Sequence, residues 1–303
     1  MPGHRSGGLH GKLTDCGMLL RKLVKADASP RYEPLWYLAG YVAIGAFGTS
    51  VAVQLLMLLF DHGHGQGATT QVVDTPVTLA RGALVVQSAL AILVGVTLSR
   101  HRILRQRAID FRRVSPGAML ASLGLVLGLA PIANDLGFRL SEALRTTPDN
   151  ARWVTTIIHQ ASRGQFLMLA FSLTILPACV EELLFRGLLM GALLGARRGF
   201  VLVLQALLFG VFHVDLAQGI ATFVLGLGFG FMRMSTRSLV APMVAHAAYN
   251  VIVLSTMRWM SIANETSTRQ GLGVMATGLL LSAVCVVVLD RHFNRRFGEP
   301  GTD

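Results

Sequence analysis

The sequence is poor in charged residues, which make up only 14% of its 303 positions. Soluble globular domains carry about 25% Asp, Glu, Lys and Arg. Hydrophobic residues account for 52% of the chain, and they are concentrated in runs that approach or exceed the ~20 residues needed to cross a bilayer as a helix. This composition excludes an ordinary soluble domain and is typical of a polytopic membrane protein.

Cysteine is scarce as well. Cys16, Cys179 and Cys285 are scattered along the chain, without the spacing of a metal site or a disulfide framework. The cysteines therefore exclude a disulfide-rich scaffold and a cysteine-based zinc module, and they give no indication of a redox compartment.

Acidic residues are outnumbered, with 16 Asp and Glu against 27 Lys and Arg, for a formal charge of +11. A basic balance can indicate nucleic-acid binding. Here the basic residues flank apolar runs, which is the pattern that fixes topology in a membrane. We therefore expect a lipid bilayer as the environment and no nucleic-acid partner.

The apolar runs predict an all-α fold with about eight transmembrane helices in one bundle. The predicted spans are 35–60, 82–99, 116–133, 166–196, 200–212, 216–232, 239–257 and 271–289. They divide the chain into a cytoplasmic basic leader (1–34), a membrane domain (35–290) and a cytoplasmic tail (291–303). We also expect a short amphipathic helix around 136–144.

The positive-inside rule orients this bundle. With the leader inside, most Lys and Arg residues fall in segments on the same side, whereas none lies between Asp61 and Thr75. We expect a multi-pass integral membrane protein with both termini in the cytoplasm, located in the plasma membrane of a prokaryote.

The fourth predicted span carries charged residues in the run Pro177-Ala178-Cys179-Val180-Glu181-Glu182-Leu183-Leu184-Phe185-Arg186. Ionisable groups at membrane depth are costly, and they are functional-site candidates by default. Glu182 and Arg186 are one helical turn apart and can form an ion pair. Glu181 points about 100° away from Glu182, so it is free to act as a general base.

Two later spans carry polar residues that lipid would satisfy poorly. His213, four residues after Phe209, lies at the end of the fifth span, and His246 and Asn250 lie one turn apart in the seventh. Each of these polar groups is expected to face the interior of the bundle. A lone histidine in a membrane helix is often only a packing residue, and Glu182 with Arg186 could be only a structural pair. Their occurrence together on three helices favours a catalytic site.

These groups are suited to hydrolysis of an amide without a serine or cysteine nucleophile. Glu181 with His213 could polarise a water for attack on a carbonyl carbon. His246 and Asn250 could donate hydrogen bonds to the oxyanion that forms.

The same residues resemble a known family. Glu181-Glu182-x-x-x-Arg186, Phe209-x-x-x-His213 and His246-x-x-x-Asn250 are similar to the three motifs of the CPBP family, the CAAX prenyl endopeptidases and bacteriocin-processing proteases also called Abi. The resemblance covers a core of about 166–256. It implies an eight-helix intramembrane endopeptidase with a membrane-associated peptide or protein substrate, including prenylated ones. It also implies a base at Glu181 with His213, oxyanion donors at His246 and Asn250, and supporting roles for Glu182, Arg186 and Phe209.

Metal dependence is left open by the residues. Glu181, His213 and His246 could supply the three protein ligands of a catalytic zinc site. They lie on three different helices, without the His-Glu-x-x-His pattern that pairs two histidines on one helix. We therefore favour a mechanism without a metal cofactor and keep zinc as the alternative.

Two other functions fit the same sequence. A proton-coupled transporter could use Glu181 and the histidines as a relay, although the sequence has no inverted repeat of the kind common in transporters. A membrane scaffold or immunity protein without proteolytic activity could share the fold.

Overall fold

A computed structural model describes residues 37–41, 43–48, 51, 76–144, 149–259 and 270–297. Within these residues the regular secondary structure is entirely helical. Residues 37–41, 43–48 and 51 are helical. The helices that follow are α1 (Pro76–Arg100), α2 (Arg102–Ala108), α3 (Pro116–Ala143), α4 (Asp149–Gln160), α5 (Arg163–Ala192), α6 (Arg198–Phe212), α7 (Leu216–Thr236), α8 (Val240–Trp259) and α9 (Leu272–Phe297).

Six of these helices are long and apolar enough to cross a membrane: α1, α3, α5, α7, α8 and α9. Each overlaps one predicted span, so the all-α membrane fold is confirmed and the count of eight is approximate. The predicted span 200–212 lies within α6, which has only 15 residues. The predicted span 35–60 lies largely outside the described residues, as do the leader 1–34 and the end of the tail, 298–303.

Several helices are longer than predicted. The separate amphipathic helix expected around 136–144 is wrong, because those residues continue α3 through Pro131 as far as Ala143. α9 likewise continues to Phe297, through the first part of the predicted tail. In both cases polar residues extend an apolar helix beyond its hydrophobic run, which a count of apolar residues alone does not detect.

Polar side chains define where helices begin. Ser115 precedes Pro116 and accepts a hydrogen bond from the Ala118 amide at 3.3 Å, which caps α3. Ser162 and Gln165 form a reciprocal capping box at the start of α5. Asp215 caps α7 by accepting a hydrogen bond from the Gln218 amide at 2.6 Å.

Small residues allow close contact of helices in the core. A Cβ atom added to Gly226 would approach Ala206 Cα to 3.2 Å, and one on Gly210 would approach the Gly219 carbonyl to 2.6 Å. The backbones of α6 and α7 can meet only because these positions lack side chains.

α5 is central to the bundle and has an irregular course. Two π-helical stretches, Phe171–Ile175 and Leu183–Leu189, flank a regular α-helical turn at Leu176–Glu182. Such stretches are rare and occur often at functional sites, because each adds a residue and rotates the rest of the helix about its axis. Helices α1, α7 and α8 all contact α5 along this region. The irregular helix therefore presents its charged residues to three neighbours.

Candidate active site

The acidic pair lies at the end of the regular turn of α5, where both side chains are buried. Glu181 is 6% exposed, and Glu182 is fully buried. Because consecutive helical residues point in different directions, each carboxylate meets a different set of neighbours.

Glu182 forms the predicted ion pair with Arg186. Arg186 Nη1 donates to Glu182 Oε1 at 2.8 Å, and neither side chain is exposed. Arg186 Nη2 also donates to the Gly226 carbonyl at 3.2 Å. The guanidinium carbon lies 4.4 Å from the ring centre of Phe209 and 5.2 Å from that of Phe229. A buried cation is thus held by a carboxylate, a carbonyl and two aromatic faces.

Glu182 has a second partner on α8. The same oxygen, Oε1, lies 2.9 Å from Nδ1 of His246. Since this carboxylate oxygen acts as an acceptor, Nδ1 carries the hydrogen and donates it. The His246 ring stacks on Phe229 with centres 4.8 Å apart and planes 20° apart. Its orientation is therefore fixed from one edge and one face.

The other nitrogen of His246 faces Glu181. Nε2 lies 4.0 Å from Glu181 Oε2. That distance is too long for a direct hydrogen bond and is suited to a bridging water. Glu181 Oε1 accepts a hydrogen bond from Gln87 Nε2 of α1 at 2.9 Å. One carboxylate oxygen is thus engaged and the other is oriented towards His246.

His213 follows the last residue of α6, in a tight turn. Its Nδ1 lies 2.9 Å from the Phe209 carbonyl. A carbonyl oxygen only accepts, so Nδ1 donates and Nε2 of the neutral ring keeps a lone pair. The next residue, Val214, has φ of 62°. A β-branched residue rarely adopts positive φ, and such strain is often found at functional sites.

Phe209 connects the two histidines. Its ring centre lies 5.0 Å from that of His213 and 6.0 Å from that of His246, with the planes nearly perpendicular in both pairs. The structure therefore brings Glu181, His246 and His213 into one neighbourhood, with Phe209 and the Glu182 ion pair beside them.

Asn250 lies one turn beyond His246 on α8 and is half-buried. Its side chain forms no hydrogen bond with a described residue. The neighbouring Tyr249 donates instead to Asn134 Oδ1 of α3 at 3.2 Å. The amide of Asn250 is thus available to a ligand, whereas the hydroxyl of Tyr249 is engaged elsewhere.

Known proteins share the segment that contains this cluster. Residues 163–252 match the family model described as type II CAAX prenyl endopeptidase Rce1-like. The predicted family resemblance is confirmed. YdiL of Bacillus subtilis (strain 168), a proposed membrane peptidase, is 25% identical over an alignment of 224 residues, and the match covers 72% of this chain and 87% of YdiL. No solved structure matches the chain significantly.

The matched segment contains every residue that the sequence nominated for the site: Glu181, Glu182, Arg186, Phe209, His213, His246 and Asn250. The apolar helices and the comparisons indicate an integral membrane protein, and the matched segment is similar to a family of prenyl endopeptidases. The catalytic roles of individual residues stay predictions.

Two glutamines belong to this neighbourhood and were missed by the sequence reasoning. Gln87 contacts Glu181, and Gln205 Nε2 of α6 donates to the Gly226 carbonyl at 2.8 Å, beside Arg186. Each is a lone amide in an otherwise apolar run. The rule that identified the histidines, that a polar group in lipid must find an internal partner, would have identified them too.

A zinc site would require the candidate ligands to form one cluster. Across residues 76–144, 149–259 and 270–297, no group of three or more His, Cys, Asp or Glu side chains is arranged to hold a metal ion. Glu181 and His246 approach each other, but they do not form a ligand cluster with His213. The residues as arranged do not fit a zinc ion, and metal independence stays a prediction.

Proposed function

We propose that the protein is an intramembrane endopeptidase that hydrolyses a peptide bond in a membrane-associated or prenylated substrate. The observation that carries this proposal is the buried cluster in which Glu181 lies 4.0 Å from His246 inside an apolar bundle. The description of the matching family, a prenyl endopeptidase, supports a lipidated substrate.

Glu181 is the general base in this proposal. A water beside Oε2 would give a proton to Glu181 while its oxygen attacks the carbonyl carbon of the scissile bond. His213 fits the orientation of this water, because its Nδ1 is bound to a carbonyl and its Nε2 can accept a hydrogen.

His246 and Asn250 stabilise the oxyanion. The amide N–H of Asn250 has no partner among described residues and can donate directly. His246 Nδ1 already donates to Glu182, so donation from Nε2 requires the imidazolium form, in which both nitrogens carry hydrogens.

The reaction is balanced by one proton transfer in each direction. Water adds to the carbonyl carbon to form a tetrahedral intermediate, and Glu181 holds the proton released. Collapse of the intermediate breaks the carbon–nitrogen bond, and the proton passes from Glu181 to the departing amine. The products are a carboxylic acid and an amine, and Glu181 is regenerated.

Glu182 and Arg186 support the site without contacting the reacting atoms. Their pair neutralises two buried charges, and Glu182 Oε1 fixes the His246 ring. Removing either partner would leave the other charge unpaired in an apolar environment.

The test is a cleavage assay with purified protein in liposomes. The substrate is a farnesylated peptide that ends in a CAAX sequence, and the released tripeptide is measured by mass spectrometry. We expect cleavage of this peptide, none with Glu181→Gln, and weaker cleavage of the same peptide without the prenyl group.

Two outcomes would contradict the proposal. One is full activity of Glu181→Gln. The other is the absence of cleavage of any prenylated or membrane-anchored peptide by folded parent protein, together with proton-coupled solute flux into the liposomes.

A further inference from the structure

Gln87 lies on α1, outside the segment that matches the family model. Its neighbours in sequence are mostly apolar, in the run Ala83-Leu84-Val85-Val86-Gln87-Ser88-Ala89-Leu90. The side chain is nevertheless turned into the bundle and is only 6% exposed. Burying an amide in an apolar environment is unfavourable unless it forms hydrogen bonds, so its orientation calls for an explanation.

Only the nitrogen of the Gln87 amide forms a hydrogen bond with a described residue. Gln87 Nε2 donates to Glu181 Oε1 at 2.9 Å. The amide oxygen, Gln87 Oε1, is buried and has no hydrogen-bond partner among described residues. Because the facing carboxylate oxygen can only accept when ionised, the nitrogen must point towards it and the oxygen away. A buried, unpaired acceptor therefore lies beside the base that the proposed mechanism uses.

We propose that Gln87 positions both Glu181 and the attacking water: its amide nitrogen holds Glu181 Oε1, and its amide oxygen accepts one hydrogen of the water. This inference rests on the proposed function. It adds to the site a residue from a helix beyond the matched motifs.

The two contacts of Gln87 complement each other. With Oε1 engaged, Glu181 presents Oε2 as the base, on the side of His246 Nε2. A water has two hydrogens: one is donated to Glu181 Oε2, and the other is shared between His213 Nε2 and Gln87 Oε1 in a bifurcated hydrogen bond. The remaining lone pair of the water is then directed towards the substrate carbonyl. Gln87 itself gains and loses no proton.

This role has a kinetic signature. Orientation of the water matters in the transition state and contributes nothing to binding of the peptide, so its loss lowers kcat and leaves KM unchanged. A purely structural role would lower the amount of folded protein instead.

The first variant is Gln87→Met, which keeps the length of the side chain and removes both polar atoms. We expect kcat to fall about 10- to 100-fold, a range typical of a misplaced reacting group, with KM unchanged. Folding should be preserved, because an apolar side chain suits this helix. Thr97→Val is the matched control: Thr97 is also buried on α1, but its hydroxyl donates to the Leu93 carbonyl of its own helix. It should retain the parent kcat.

The second variant is Gln87→Glu, which keeps the shape of the amide. When protonated, the introduced carboxyl group can donate to Glu181 and accept from water; when ionised, it repels Glu181. We expect activity above that of Gln87→Met, increasing relative to the parent as the pH is lowered. Parent-like kcat in Gln87→Met would overturn the inference, as would equal activity of the two variants at every pH.

A stability measurement separates this inference from the proposed function. Unfolding is compared in detergent for the parent, Gln87→Met, Glu181→Ala and the double variant. If Gln87 and Glu181 are in direct contact, the changes in unfolding free energy caused by the two single substitutions do not add in the double variant. Additive changes would refute the contact. If the parent cleaves no substrate, the proposed function fails, and this cycle still decides whether Gln87 holds Glu181.

Discussion

Two ion pairs in this protein share one sequence pattern, an acidic residue followed four positions later by arginine in an apolar helix. Glu182 and Arg186 of α5 are 2.8 Å apart, and Asp135 and Arg139 of α3 are 2.6 Å apart. Both side chains of the α5 pair are fully buried. In the α3 pair Asp135 is 1% exposed, whereas Arg139 is 54% exposed.

The surroundings make the two pairs different. Glu182 also binds His246 of α8, and Arg186 binds the Gly226 carbonyl of α7, so the α5 pair joins three helices at the candidate site. Asp135 accepts from the backbone amide of Gln270 at 3.3 Å, next to the start of α9. The same spacing thus gives a buried ion pair that links three helices in α5 and a partly exposed ion pair in α3. Burial and partners, not spacing, determine what an ion pair does.

The largest contrast is expected between Glu181, next to the α5 ion pair, and Asp135 of the α3 ion pair. Glu181→Gln should lower kcat by about 10²- to 10⁴-fold, the usual contribution of a general base. Asp135→Asn should keep kcat within about twofold of the parent value, because Asp135 lies beside the start of α9 and does not belong to the candidate site. Both are measured by peptide cleavage in liposomes, after confirming that each variant is folded. Equal losses in the two variants would show that the α5 acids have no special role.

Removal of the arginine partner is expected to distinguish the two pairs in stability. Arg186→Leu removes the guanidinium that neutralises the fully buried Glu182 and leaves this carboxylate with the His246 hydrogen bond, which costs about 3–5 kcal/mol of unfolding free energy. Arg139→Leu should cost clearly less, since Arg139 is half in solvent and Asp135 keeps the Gln270 amide as a partner. Unfolding in detergent provides the comparison. An Arg186→Leu variant as stable as the parent would exclude a structural role for this pair.

A paired replacement sharpens the same point. Glu182→Leu combined with Arg186→Leu removes both charges, so it should destabilise less than Arg186→Leu alone. It also removes the acceptor that orients His246. We therefore expect recovery of stability without recovery of cleavage, which would separate the support of the fold from the support of the histidine.

The contrast also explains what sequence reasoning could identify. Glu181, Arg186, His213 and His246 were found because each is incompatible with lipid and must have an internal partner. The identity of the partners was not available from spacing: that Glu182 Oε1 binds both Arg186 and His246 depends on how α5 and α8 pack. The π-helical stretches of α5 are likewise set by tertiary contacts and have no compositional signal.

A polar or charged residue at the end of an apolar run did not reliably mark the end of a helix. The predicted end of α3 at position 133 precedes Asn134 and Asp135, two polar residues that suggested a loop. In the structure these side chains are satisfied by Tyr249 and the Gln270 amide, so the helix continues. The polar residues Asn134 and Asp135 predicted a helix end at 133, but partners distant in sequence allow α3 to continue past it.

Two neighbouring residues on α8 provide a smaller contrast, because Asn250 belongs to the candidate site and Tyr249 contacts α3 next to Asp135. Asn250→Ala should lower kcat by about 10²-fold, the low end of the loss for one oxyanion donor, with KM little changed. Tyr249→Phe is the matched control, because its hydroxyl binds Asn134 beside Asp135; it should keep kcat within about twofold. A loss of activity in Tyr249→Phe as large as that in Asn250→Ala would contradict the assignment of the oxyanion donor.

The smallest effect is expected from removal of metal ions. Exhaustive chelation followed by assay in metal-free buffer should leave kcat unchanged, because the proposed base acts on water directly and the described candidate ligands are not arranged around one metal position. A zinc site would need Glu181 Oε2 and both Nε2 atoms to converge on one point about 2 Å from each, and the described residues form no such group. Loss of activity on chelation, restored by one equivalent of zinc, would contradict this prediction and make Glu181 either a ligand or a base acting on metal-bound water.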